Sequence, residues 1–151
     1  MDFLMNTTIL APAAVLVAWS MVMTLWVVVT RFRAFGEAGV DLANAVPGGR
    51  YVDLESTMPA KVNWKAHNFT HLMEQPTIFY AVVCIIAIAG ASGAVVSGAV
   101  VAWAWAYTFI RIAHSLWQSL VNTVPIRFAL FVGSNVCLLV LTYHALILTL
   151  S

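Results

Sequence analysis

Charged side chains are scarce in this sequence. Only 9% of its 151 residues are Asp, Glu, Lys or Arg, and residues 75–110 contain none of them. A soluble domain carries about 25% charged residues, so the composition excludes an ordinary soluble globular protein. The formal net charge of +1 gives no basis for binding nucleic acid. With 62% hydrophobic residues, the chain is predicted to be an integral membrane protein, and its length suits a single domain.

Cysteine is also rare, and the pattern of a cleavable leader is absent. Cys84 and Cys137 both lie inside apolar runs, where a cysteine packs as a small hydrophobic side chain, so they give no information about the redox compartment. Asp2 stands where a signal peptide carries positive charge, and the apolar stretch that follows is too long for one. We therefore expect the first apolar segment to be retained.

Four apolar runs are each long enough to cross a bilayer. A spanning helix needs about 20 mostly apolar residues, and the runs at 7–30, 66–88, 94–120 and 125–148 reach that length. They are too long and too uniform for barrel strands, and only helices or closed barrels satisfy their backbone hydrogen bonds in lipid. The predicted fold class is all-α, an integral membrane four-helix bundle formed by one domain over residues 1–151.

Cations lie at one end of the predicted bundle. The segment between the first two runs, 31–65, is polar and contains the turn sequence PGG at 47–49. The second loop and both termini carry no Lys or Arg. The positive-inside rule therefore places the 31–65 loop in the cytoplasm and both termini outside. The cations in or beside the first and third loops are Arg31, Arg33, Arg50, Lys61, Lys65 and Arg127.

Ionisable side chains nevertheless enter two of the spans. His67, His71 and Glu74 recur at i, i+4 and i+7, so they share one face of the second helix. The third span repeats this spacing on one face with Tyr107, Arg111, His114 and Gln118. At about 1.5 Å per residue, Glu74 lies roughly 12 Å and Arg111 roughly 15 Å from the cytoplasmic ends of their spans. Because an unpaired charge at that depth costs several kcal/mol, we predict that Glu74 pairs directly with Arg111.

Three arginines predict a cationic recess at the cytoplasmic end. Arg31 ends the first span there, Arg127 begins the fourth, and Arg111 lies deeper in the third. Guanidinium groups bind carboxylates bidentately, which favours an anionic ligand. A second interpretation is that Glu74 and Arg111 form a buried ion pair that only fixes helix register.

A third interpretation is a metal site. His67 and His71 have the spacing to bind one zinc or iron ion, with Glu74 or His114 completing the ligand set. Arg111 would compete for Glu74 and repel the cation, so we predict no metal.

Two sequence blocks resemble the MAPEG family, the membrane-associated proteins in eicosanoid and glutathione metabolism. AHNFTHLMEQPTIFY at 66–80 is similar to the family's second-helix block, with its glutamate before a proline. AWAYTFIRIAHSLWQSLVNTVPIRF at 104–128 is similar to its third-to-fourth-helix block, with Arg-x-x-His and a later Pro-x-Arg. The NF-x-x-L-x-E-x-P pattern is closest to bacterial members, which implies a multi-pass protein of a bacterial inner membrane.

The resemblance also implies a homotrimer that uses glutathione as a cosubstrate, bound between adjacent subunits near the cytoplasmic face. A lipophilic substrate would reach the activated thiol from the bilayer. By position, Arg127 matches the fourth-helix arginine associated with thiol activation, and Arg31 matches more loosely an arginine that ends the first helix. These matches imply catalytic roles for Arg127 and His114, and cofactor-binding roles for Arg31, His71, Glu74, Arg111 and Gln118.

The sequence departs from the family's synthases at positions that hold glutathione. His67, Thr70 and His71 stand where those enzymes have arginines and an asparagine, and Gln118 replaces a tyrosine. The predicted function is a glutathione-dependent transferase or peroxidase acting on lipophilic electrophiles. One alternative is a non-enzymatic membrane protein of the same fold that binds a lipid or another amphiphile.

A small transporter with a proton-coupled Glu74 is the third candidate. Arg111 disfavours it, because a nearby positive charge keeps a carboxylate ionised.

Overall fold

The secondary-structure elements of the described part of the chain are all helices. The computed structural model of the protein describes residues 7–41, 44 and 47–150, and no strand occurs among them. Asp2 and the rest of the N-terminal six residues lie outside the described residues. The elements are a 3₁₀ helix at Thr7–Ile9, α1 at Leu10–Glu37, a 3₁₀ helix at Tyr51–Thr57, α2 at Ala60–Ala91, α3 at Gly98–Leu120 and α4 at Val124–Leu150. The all-α prediction is therefore confirmed.

Three of the described helices, α1, α2 and α4, are long and apolar enough to cross a membrane. The fourth, α3, contacts each of them in the bundle. It buries an unusual number of polar side chains for its length, and these face its neighbours rather than the outside. They are Thr108, Arg111, His114, Ser115, Gln118 and Ser119.

The helices extend beyond the apolar runs that the sequence indicates. α1 continues past Arg31 and Arg33 to Glu37, and α2 begins at Ala60, six residues before the predicted span. Hydropathy marks only the lipid-compatible part of a helix, whereas a helix continues into water as long as its backbone bonds are made. α3 begins at Gly98 rather than residue 94, since Gly93 adopts φ +104° in the turn that precedes it.

The centre of the bundle is apolar toward one end and polar toward the other. Phe79 of α2 stacks on Tyr107 of α3 with ring centroids 4.2 Å apart, and both are fully buried. Leu16 and Met23 of α1 and Leu141 of α4 belong to the same core cluster. From Tyr107 the buried face of α3 continues through Arg111, so the polar region begins one helical turn from this core.

Pro76 lies inside α2, where it changes the hydrogen bonding of the preceding turn. A proline has no N–H, so the carbonyl four residues earlier, that of Leu72, has no donor from this position, and the ring crowds the turn before it. In lipid such a turn is stabilised by donors from neighbouring helices. Arg111 of α3 reaches this turn, where its Nη2 donates to the His71 carbonyl at 2.8 Å, the carbonyl next to the one that lacks a donor.

Candidate functional site

A cavity of about 230 Å³ lies between α2, α3 and α4, and we call it the cationic cavity. It brings together five of the side chains that the sequence predicts for the site, from three different helices. Its lining residues are His71, Glu74, Gln75, Arg111, His114, Val124, Arg127, Phe128 and Phe131.

Arg111 is almost completely buried, with 1% of its surface exposed. Its Nη2 is held by the His71 carbonyl, while its Nε is buried without a hydrogen-bond partner among the described residues. A guanidinium carries five N–H donors in a fixed fork. Arg111 is therefore anchored to α2 by one donor and brings a positive charge to the wall of the cationic cavity.

The predicted direct pair between Glu74 and Arg111 is wrong. The ion pairs of the described residues within 4.0 Å join Glu74 to His71 instead, with Glu74 Oε2 3.0 Å from His71 Nδ1. The Glu74 side chain is 60% exposed in the isolated chain, so it is not driven to pair with a buried cation. The charge of Arg111 still acts on Glu74 from across the cavity, since both side chains line it.

The two histidines of the cavity face each other from adjacent helices. The rings of His71 on α2 and His114 on α3 meet edge to face, with centroids 6.5 Å apart and planes at 82°. His114 is buried, whereas His71 is 44% exposed and bonds Glu74. One imidazole is thus enclosed by protein and the other is open to a ligand.

Arg127 is oriented by the turn between α3 and α4. Asn122 adopts φ +62° there, a left-handed conformation that asparagine tolerates better than most residues. Its Oδ1 accepts a hydrogen bond from Arg127 Nη1 at 2.7 Å. The Nε of Arg127 is buried without a partner among the described residues. The positive charge lies in the first turn of α4, where the helix dipole also favours an anion.

Arg31 and Gln118 do not line the cationic cavity. The Arg31 guanidinium carbon lies 3.4 Å from the centroid of the Tyr51 ring, and Arg31 lines an adjoining cavity of about 590 Å³ that shares His71. Gln118 is 1% exposed within the bundle, and its Oε1 has no partner among the described side chains and backbone. The structure therefore brings Arg31 near the site through a second cavity and leaves Gln118 in the helix interior.

Sequence reasoning missed several residues of the cavity. Phe131 follows Arg127 at four positions, so helical spacing places it beside Arg127, whereas Phe128, the next residue, lines the cavity without sharing that face. Gln75 follows Glu74, and its Oε1 accepts a hydrogen bond from Ser134 of α4 at 3.4 Å. The sequence shows the spacing of these residues, but only the packing of α4 against α2 shows which of their side chains reach the cavity.

His67 and His71 point to different partners. His67 Nε2 lies 2.8 Å from Glu55 Oε1 in the 3₁₀ helix, and His71 bonds Glu74. Across residues 7–41, 44 and 47–150, no group of three or more His, Cys, Asp or Glu side chains is arranged to hold a metal ion. The arrangement gives two separate histidine–carboxylate pairs rather than one set of ligands.

Comparison with known proteins identifies the family of the chain. A model of the MAPEG family matches residues 9–147, which is nearly the whole chain. No curated protein and no solved structure matches the sequence. The match covers all four α-helices over most of their length, and it includes every residue of the cationic cavity.

Proposed function

This chain belongs to the MAPEG family, and from that membership we propose that it binds glutathione and joins it through its sulfur to lipophilic electrophiles, or uses it to reduce lipid peroxides. The observation that carries the proposal is the cationic cavity: Arg111 and Arg127 reach it from two helices, beside His71, His114 and Glu74.

The lining residues fit a zwitterionic peptide with a net negative charge. Arg111 and Arg127 each keep a buried Nε–H without a partner in the described part of the chain, and a guanidinium binds a carboxylate by parallel N–H···O bonds. Glu74 supplies the one carboxylate of the cavity and is exposed enough to accept from an ammonium group. The same cavity offers donors for a ligand's carboxylates and an acceptor for its amino group.

When bound, glutathione supplies a thiol whose sulfur forms the new carbon–sulfur bond or reduces a peroxide. In our proposal Arg127 lies beside that sulfur and stabilises it as the thiolate, because a neighbouring cation favours the anion. The thiol proton leaves to water on the cytoplasmic side. His114 orients the ligand with its neutral ring, because burial beside Arg111 and Arg127 disfavours a further positive charge there.

The adjoining cavity extends the proposed site beyond 230 Å³. Ligand pockets usually measure about 300–1,000 Å³, so the cationic cavity of one chain is small for a tripeptide. The cavity lined by Arg31 and His67 shares His71 with it, and a ligand that occupies both would place a second carboxylate near Arg31. Gln118 acts in this proposal only through the packing of α3.

The lipophilic substrate is proposed to arrive along α4. Phe128 is 65% and Phe131 44% exposed in the isolated chain, and both line the cationic cavity. An apolar side open to the bilayer or to a neighbouring subunit suits a hydrophobic electrophile. In a homotrimer this open side would be covered by the next copy.

The apolar side of the cationic cavity also favours a second candidate function. Val124, Phe128 and Phe131 make one side of the cavity apolar, which also suits a non-enzymatic protein that binds a lipid or amphiphile. Such a protein would hold the amphiphile's anionic group on Arg127 and would need no thiol. The two candidates differ in whether glutathione binds.

Calorimetric titration of glutathione into the purified protein tests the proposal. We expect micromolar-to-millimolar affinity, reduced about tenfold or more by Arg127→Ala, since a lost charge-assisted bond is worth about 1.5–3 kcal/mol. Arg33→Ala is the matched control, because Arg33 lies at the same end of the protein but lines neither cavity. No heat at millimolar glutathione would exclude the enzyme and leave the amphiphile-binding function.

A further inference from the structure

A third cavity, of about 650 Å³, lies between the end of α1 and the segment that follows it, and we call it the loop cavity. Most of its wall is apolar, with Phe32 and Phe35 from α1 facing Leu54 of the 3₁₀ helix. Its size falls within the range of about 300–1,000 Å³ that is usual for small-molecule sites. The lining residues are Val27, Val28, Arg31, Phe32, Phe35, Val40, Asp41, Gly49, Arg50, Tyr51, Asp53 and Leu54.

The acidic side chains of the loop cavity already accept hydrogen bonds from within the protein, whereas the basic side chains do not all have such partners in the part of the chain that the structure describes. Asp53 Oδ2 accepts from the Arg50 backbone N–H at 2.8 Å, and Asp41 Oδ2 accepts from Asn44 Nδ2 at 2.6 Å. The Arg31 guanidinium lies over the Tyr51 ring, and its buried Nε has no hydrogen-bond partner among the described residues. The carboxylates thus already accept bonds from their own loop, while Arg50, an exposed residue of the lining, offers its guanidinium to an outside acceptor.

The position of the cavity along α1 indicates where an occupant would come from. Val27 and Val28 belong to the apolar run of α1, and Arg31 is the first charge after it. Arginine at the end of a span lies at headgroup level, with its stem along the apolar surface. Val28 and Phe32 are 43% and 62% exposed, so the apolar part of the cavity opens on the outer face of α1.

We propose that the loop cavity binds one anionic phospholipid of the leaflet at the basic end of the bundle. One acyl chain lies against Val28, Phe32 and Phe35, and the headgroup phosphate accepts from Arg50. Phosphate oxygens match the guanidinium fork. The loop cavity shares Arg31, Arg50 and Tyr51 with the adjoining cavity but no residue with the cationic cavity, so the lipid site holds whether or not glutathione binds in the cationic cavity.

Native mass spectrometry of the full-length protein in detergent tests this site. Phosphatidylglycerol, phosphatidylcholine and oleate are added separately to delipidated protein. We expect one phosphatidylglycerol per chain, with phosphatidylcholine about tenfold weaker, because its headgroup ammonium cancels the charge that Arg50 recognises.

Two matched pairs of variants locate the binding. Val28→Trp fills the cavity and Arg50→Gln removes the headgroup donor, and each should weaken phosphatidylglycerol binding about tenfold. Val29→Trp and Arg33→Gln change neighbouring residues that do not line the cavity, and they should bind as the parent does. Circular dichroism confirms that each variant keeps its helix content.

Four results would overturn the proposal. Absence of a phosphatidylglycerol adduct on the parent protein would show that the loop cavity is not a lipid site. An equal loss of phosphatidylglycerol binding in the test and control variants would show the same. Equal binding of phosphatidylcholine would show that the headgroup charge is not recognised. Tighter binding of oleate than of phosphatidylglycerol would assign the cavity to a free fatty acid rather than to a membrane phospholipid.

Discussion

Ser115 joins three helices through one oxygen atom. Its Oγ accepts from Trp19 Nε1 of α1 at 2.9 Å and from Asn68 Nδ2 of α2 at 2.7 Å. Ser115 and Asn68 are fully buried. A donor left unpaired inside the bundle keeps the whole cost of its lost hydration, so this serine fixes the rotation of α3 relative to both partners.

Ser115→Ala is therefore expected to destabilise the protein by about 1–3 kcal/mol, because it strands the buried Asn68 donor and the half-buried Trp19 donor, whose bonds are each worth about 0.6–1.7 kcal/mol in membrane proteins. Ser119→Ala is the matched control: Ser119 is equally buried one turn later, but its Oγ has no partner among the described residues. Thermal unfolding in detergent measures both. Equal losses in the two variants would contradict the role assigned to Ser115.

Glu74 and Arg111 are expected to couple weakly despite lining one cavity. A directly bonded buried pair loses about 3–5 kcal/mol when one partner is removed, whereas exposed pairs are worth about 0–1 kcal/mol. Because Arg111 bonds the His71 carbonyl and Glu74 bonds the His71 ring, a double-mutant cycle of Glu74→Gln and Arg111→Met should give a coupling below about 1 kcal/mol. A coupling above about 3 kcal/mol would show that Glu74 and Arg111 do form a direct pair.

Residue spacing predicted much of the site, and its limits are physical. The i, i+4, i+7 pattern correctly placed His71 and Glu74 on one face of α2, and Arg111 with His114 on one face of α3. Gln118 shares the same face of α3 but does not line the cavity. Periodicity identifies the face of a helix, but it does not show at which residue along that face the neighbouring helix closes the cavity. The bond from Arg111 to the His71 carbonyl could not be predicted either, since spacing describes side chains and not which backbone oxygen an arginine reaches.

The 3₁₀ helix at Tyr51–Thr57 is attached to α2 by side chains rather than by an apolar face, and none of its residues is buried. Asn63 holds it at two points: its Oδ1 accepts from the Tyr51 hydroxyl, and its Nδ2 donates to the Glu55 carbonyl at 2.9 Å. Glu55 also bonds His67. This segment forms a wall of the loop cavity and of the adjoining cavity.

Asn63→Ala should loosen this wall while leaving the bundle intact. We expect hydrogen exchange of residues 51–57 to become about tenfold faster or more, since two bonds of about 1 kcal/mol each are lost. Lys61→Ala is the control, because Lys61 is an exposed residue two positions earlier on α2. Unchanged exchange in Asn63→Ala would show that the wall is held by other contacts.

The number and order of the α-helices were predictable, but their ends and the 3₁₀ helix were not. Four apolar runs gave four helices, because a long uncharged run has few other structures available in lipid. α1 and α2 extend into the 31–65 segment, where the charged residues lower the hydropathy and so give no sign of a spanning helix. The 3₁₀ helix depends on Asn63 and Asp53, single polar contacts that leave no periodic pattern.

The whole molecule presents a broad apolar surface. Leu25, Phe109 and Leu139 are between 60% and 70% exposed in the isolated chain, and they come from three helices. Exposed apolar surface of this kind contacts lipid or another protein subunit. Phe128, at the open side of the cationic cavity, is exposed to a similar degree.

We predict that the protein assembles as a homotrimer, as its membership of the MAPEG family implies, and that the next copy covers the open apolar side of the cationic cavity. Particle imaging or chemical crosslinking in mild detergent should show three copies related by a single axis. Phe128→Asp, which adds a charge at the open side of the cavity, should weaken the assembly, whereas Val95→Asp, in the turn between α2 and α3, should leave it unchanged. A monomeric or antiparallel dimeric parent would contradict this prediction.

The contrast between α3 and its neighbours bears on how the chain enters the membrane during synthesis. α1, α2 and α4 are apolar enough to partition on their own, whereas α3 is not among the helices that meet that condition. A buried arginine at a helix centre costs about 2.5–3.5 kcal/mol on insertion scales, and the acceptor that holds Arg111 belongs to α2. We therefore expect α3 to insert next to α2 rather than alone, because the His71 carbonyl of α2 accepts a hydrogen bond from Arg111.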